Sequence, residues 1–110
     1  MAALIQGDNA KGRRNLEETI AWAPHISSAY LILSQLTLDS GQTEEARRYL
    51  KQMMKAAPKD ARGYIAYAEL EAASGDINGA RSILIRGSQR LPSNQAIIDA
   101  MQRFTPPRKP

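Results

Sequence analysis

The chain has 110 residues, 43% of them hydrophobic and 24% charged, with a formal net charge of +4. That length is enough for the core of one small domain. It contains no cysteine, which excludes a disulfide framework and a thiolate metal site, and no valine, which argues against a sheet. The mildly basic balance permits an RNA, an anionic lipid or an acidic protein as partner and requires none of them. No apolar run reaches transmembrane length, so no membrane span is expected. The opening MAALIQGD lacks the basic and apolar regions of a signal peptide. A cytoplasmic location is expected, with an organelle or the periplasm left open.

Taken in order, residues 1–6 read as the tail of a helix closed by Gly7, with Asp8 as cap of the next. That next helix spans residues 9–22, with Leu16, Ile20 and Trp22 on its buried stripe and Pro24 ending it. Gly12 stands where later copies have Ala46 and Ala80, a position of close helix contact. Residues 27–39 form a helix whose Tyr30, Leu33, Leu36 and Thr37 share one face, with Ser34 small where helices meet. Gly41 makes the turn, and Thr43 is expected to cap a helix over residues 43–56. Ala46, Leu50, Met53 and Met54 face inward there, and Glu44 supports Arg48 four residues on. Asp60 caps a helix to Ala73, with Tyr64 and Tyr67 in the core. Gly75 and Asp76 turn into a helix over residues 77–90, with Ala80, Ile83, Leu84 and Gly87 inward. Pro92 stops it. Ser93 is expected to cap a last helix to Phe104, with Ile97, Ile98, Met101 and Phe104 on one stripe. The end, TPPRKP, cannot continue a helix.

One step of 34 residues runs through this pattern. It relates Gly7, Gly41 and Gly75, and also Pro24, Pro58 and Pro92. Arg13, Arg47 and Arg81 keep it, as do Leu16, Leu50 and Leu84. Four positions in phase mark a solenoid of helical hairpins. The expected architecture is all-α, a solenoid of antiparallel helix pairs. Its expected divisions are a partial repeat (1–24), two full repeats (25–58 and 59–92), a capping helix (93–104) and a flexible basic tail (105–110).

The period, the turns around Gly7, Gly41 and Gly75, the packing alanines Ala46 and Ala80 and the prolines together resemble the tetratricopeptide repeat (TPR) family. Tyr30 and Tyr64 stand where that family has a large aromatic. The last repeat, with Tyr67 to Glu71, Gly75, Ala80-Arg81 and Arg86-Gly87, also resembles the half-a-TPR (HAT) variant of RNA-processing complexes. The resemblance implies a right-handed α-α superhelix and a non-catalytic scaffold or adaptor that binds a peptide, a helix or a subunit of another protein on the inner face of its first helices. Members that grip acidic chaperone tails use Lys and Asn on those helices. Here the matching positions are Leu31, Gln35, Ile65 and Glu69, so that clamp is not expected.

The expected binding groove is Ser28, Leu31, Gln35 and Leu38, then Arg62, Ile65, Glu69 and Ala72: an apolar floor with a few polar anchors. Part of this set could instead pack between repeats. A second candidate, for an anionic partner, is the basic set Arg13, Arg47, Arg48, Lys51 and Lys55, with a solvated helix face as the alternative. An RNA-processing component and a small regulatory subunit of an enzyme remain alternative functions. The edge around Leu4, Ile5, Leu16 and Ile20 suggests a longer array, self-association or docking on a subunit. His25 is the one histidine, and no metal site, cofactor or nucleophile–base pair is expected.

Overall fold

Among its described residues the computed structural model has six helices: α1 (Ala2–Trp22), α2 (Ser27–Asp39), α3 (Thr43–Ala56), α4 (Ala61–Ala73), α5 (Ile77–Arg90) and α6 (Gln95–Phe104). The structure describes the backbone of residues 2–23 and 25–104 and the side chains of residues 11–23 and 25–104. Pro24, the 105–110 tail and the side chains of Leu4, Ile5 and Asp8 lie outside the described residues.

The two helix–helix turns are set by the same local chemistry. Gly41 and Gly75 adopt φ of 77° and 96°, the left-handed region that a Cβ disfavours. Their amides donate to Leu38 and Ala72, and the following amides of Gln42 and Asp76 reach back to the carbonyls of Thr37 and Glu71. This paired closure satisfies carbonyls that the helix end would leave open. Asp60 and Asp76 cap α4 and α5, accepting from the amides of Arg62 at 3.1 Å and Gly79 at 2.8 Å.

Two expected caps are different. Gln42, not Thr43, precedes α3, and it makes no side-chain cap bond; Thr43 is already helical. Asn94, not Ser93, caps α6, its Oδ1 accepting from the Ile97 amide at 3.1 Å. A cap must sit just before the first helical residue, and that residue is Gln95.

The larger departure is at Gly7. No turn forms there, and α1 runs unbroken from Ala2 to Trp22. Glycine allows a turn without imposing one, and only Gly41 and Gly75 have positive φ among the described residues. Trp22 is a second correction: it is 89% exposed. At about 100° per residue it lies roughly 200° around the helix from Ile20, on the opposite face.

The chain divides into two compact units, Met1–Ala57 and Pro58–Pro110. In the first, α2 packs against both α1 and α3. Its core joins Tyr30, Leu33, Tyr49 and Met53, with Leu16, Ile20 and Leu31 packed on it. Ala46 is fully buried, as Leu50 nearly is. Thr37 is buried too, its hydroxyl donating to the Leu33 and Ser34 carbonyls at 2.9 Å, so no polar atom is stranded. In the second unit α4 packs on α5 and α6, and α5 on α6. Tyr64, Tyr67, Ala68, Leu84 and Ile97 fill its core. The Tyr64 hydroxyl donates to the Pro58 carbonyl at 2.9 Å, tying the ring to the start of the unit.

Two interior glycines have opposite surroundings. A Cβ on Gly12 would meet nothing within 4 Å, so this is not the close contact made by Ala46 and Ala80. A Cβ on Gly87 would sit 2.9 Å from Tyr64 Cγ and 3.2 Å from Ile97 Cδ1. Gly12→Ala should therefore raise the unfolding free energy by about 0.5–1 kcal/mol, the ordinary helix gain. Gly87→Ala should lower it by about 1–3 kcal/mol through overpacking. Gly41→Ala should cost about 1–2 kcal/mol from its left-handed backbone. Urea denaturation of the three variants checks the signs.

Candidate functional site

On α2 the core takes Tyr30, Leu33, Ser34 and Thr37, and the intervening positions are left for the surface. Ser28 and Gln35 are exposed, and Leu31 and Leu38 are half-buried. Leu31 lies against the core cluster as well as at the surface, so it is part floor and part packing. Gln35 donates to Asp39 at 2.9 Å, which orients its amide along the helix. Ile32, one residue on from Leu31, is 48% exposed.

On α4 the corresponding residues behave similarly, and two are already paired. Arg62 and Glu69 are exposed, and Ile65 and Ala72 are half-buried. Arg62 bonds Asp60 through Nε at 3.0 Å and through its terminal nitrogen at 2.7 Å. That hydrogen bond, with the Asp60 charge, holds the Arg62 guanidinium above its ordinary value. Glu69 accepts from Arg103 of α6 at 3.2 Å. The Glu69–Arg103 pair is solvated, so either of its partners can exchange for a ligand group at small cost.

The basic residues sort into two kinds. Arg13 reaches from α1 to Gln42 at 2.8 Å and Glu45 at 2.9 Å, and pairs with Glu17 at 3.2 Å. Burial works against its charge, yet attraction and hydrogen bonding from Tyr49, with the charges of Glu17 and Glu45, outweigh it and raise its pKa. Arg47 pairs with Glu44, and Arg48 with Glu45 at 2.8 Å. The expected Glu44–Arg48 pair is thus replaced by two pairs of three-residue spacing, which the helix brings as close as four. Lys51 and Lys55 are exposed and have no acidic partner among the described residues. Arg81, at the same repeat position as Arg13 and Arg47, donates to the Phe104 carbonyl at 2.5 Å. Arg13 and Arg81 therefore tie helices together within their units, while Arg47 pairs within its own helix.

Sequence reasoning missed Tyr49, which is only 4% exposed. It lies on the Ala46–Met53 stripe, but Arg47, Arg48 and Lys51 around it disguise the stripe as a charged face. With Tyr30 it borders an open pocket of about 550 Å³ in the first unit. Ile20 and Ala21 of α1 form one side, and Gln52 and Lys55 of α3 the other. His25 lies exposed in the α1–α2 turn. Among the described residues no group of three His, Cys, Asp or Glu could hold a metal ion, and no helix is long and apolar enough to cross a membrane.

A family model described as tetratricopeptide repeat matches residues 3–64 and 37–103. This chain belongs to the tetratricopeptide repeat family. Its helical hairpins, glycine turns and buried alanines are those of this family's repeat, in an all-α fold without strands among the described residues. No curated protein matches the sequence. Solved structures that share the fold include the type III secretion chaperone SycD of Yersinia enterocolitica in complex with a peptide of the translocator YopD. That match has a TM-score of 0.69 and 14% identity over 92% of this chain and 82% of SycD. The TPR2B domain of yeast Sti1, in a complex with pHsp70, gives 0.69 and 17% over 92% and 86%. PcrH, bound to the chaperone-binding region of PopD, gives 0.66 and 16% over 92% and 76%.

In this tetratricopeptide repeat protein the Arg13 network is a surface electrostatic tie. Arg13→Ala should lower the unfolding free energy by about 1 kcal/mol at low salt and by less at high salt. Denaturation curves at two salt concentrations measure the difference.

Proposed function

We propose that this chain is a non-catalytic adaptor that holds a peptide, helix or subunit of another protein against the first helices of its repeats, α2 and α4. The observation that carries the reading is the solvent-facing stripe of α2. There exposed Ser28 and Gln35 alternate with half-buried Leu31 and Leu38. Such a stripe offers apolar area for a partner's side chains and amide and hydroxyl groups for its backbone, the means by which grooves bind peptides. The Arg62, Ile65, Glu69 and Ala72 stripe of α4 presents the same chemistry on the second unit. Structures of the same fold provide support, since SycD, PcrH and the Sti1 domain are each seen in complex with part or all of another protein. The surface supplies contacts and orientation, and binding is what those contacts do.

A photo-crosslinking amino acid at Gln35, with one at Arg86 as control, tests this in extract from the protein's own cells. Gln35 should yield a protein adduct that survives nuclease, and Arg86 should not. An adduct lost on nuclease treatment would identify RNA as the bridge and overturn the proposal, as would equal crosslinking from both positions.

A further inference from the structure

The α2 and α4 stripes leave the pocket between α1 and α3 unassigned. We propose that it is a separate docking site for an acidic, amphipathic segment of a partner protein. One apolar side chain of the segment enters the pocket, and a neighbouring carboxylate meets Lys55.

The pocket's volume of about 550 Å³ suits a large side chain with part of its backbone. Its walls are fixed. Tyr30 and Tyr49 are 5% and 4% exposed, so their rings are held by the core. Ile20 and Ala21 add aliphatic surface from α1. Apolar burial is therefore available without rearrangement.

Charge then selects the occupant. Two ionic side chains border the pocket, Glu17 and Lys55. Glu17 is matched by Arg13 at 3.2 Å. Lys55 has no acidic partner among the described residues, nor has Lys51 one turn earlier on the same helix. The uncompensated charge at the mouth is positive, which attracts a carboxylate and repels a basic segment. A single-stranded nucleic acid fits less well, because base stacking needs open ring faces and both tyrosines are buried.

The test uses the full chain, labelled for amide NMR, and three short synthetic peptides. All share one central leucine–phenylalanine pair, flanked by glutamates, glutamines or lysines. The glutamate peptide should bind most tightly and shift the amides of Ala21, Gln52 and Lys55. Lys55→Glu should weaken that peptide about tenfold and favour the lysine peptide, a reversal that loss of folding would not produce. Several results would overturn the proposal: affinity independent of the flanking charge, no effect of Lys55→Glu, or no binding by any peptide. Shifts confined to Ser28 and Gln35 would also do so, and would leave the α2 surface as the binding site. Oligouridylate shifting the Lys55 amide while the peptides do not would assign the pocket's rim to RNA instead.

Discussion

Each hairpin depends on two helices approaching closely enough to share a core, and small side chains at the crossing permit it. Ala46 is fully buried against α2, whose Ser34 is 4% exposed; Ala80 and Ala68 are both fully buried in the second unit. A larger residue at any of these points would push the helices apart, and packing density falls off steeply with such gaps. Once the backbones are close, the longer side chains interlock around them. Leu33, Leu50 and Met53 fill the first unit and Leu84 and Ile97 the second, all at 1% exposure or less. The turn glycines serve the same constraint, because only a tight reversal lets the second helix return within reach of the first.

The two units solve the same packing problem with different residues. Met53 and Gly87 are one repeat apart, yet one fills its site and the other vacates it for Tyr64 and Ile97. A close-packed core accepts such exchanges where one side chain fills the space another leaves. The recurring arginine is used in a comparable way. Arg13 bridges to Gln42 and Glu45, and Arg81 to the end of α6, so similar cations tie different partners.

That internal use of charge shapes what the surface can do. Three of the five basic residues that looked available for an anion, Arg13, Arg47 and Arg48, face carboxylates of their own unit. The charge left to act outward on α3 is at Lys51 and Lys55. The apolar area left to act outward on α2 is at Leu31, Leu38 and Ile32. Binding surfaces in a small helical repeat arise from such remainders, where the stripe that builds the core does not use every position of the helix.

What the sequence by itself determined is what short-range chemistry controls. The bounds of α2 to α5 follow from apolar spacing, from Asp60 and Asp76 as caps, and from glycines that alone tolerate the turn backbone. The 34-residue step carried the repeat and the family. The stripes on α2 and α4 were legible for the same reason, since a helix's outer face is the complement of its inner one. The tertiary structure decided what depends on distant partners. Gly7 continues α1 instead of turning it. Tyr49 is core within a basic run, and Arg13 is spent on a carboxylate 32 residues away. No local window contains the groups that settle these outcomes, because burial and ion pairing are properties of surfaces that meet only once the helices have packed.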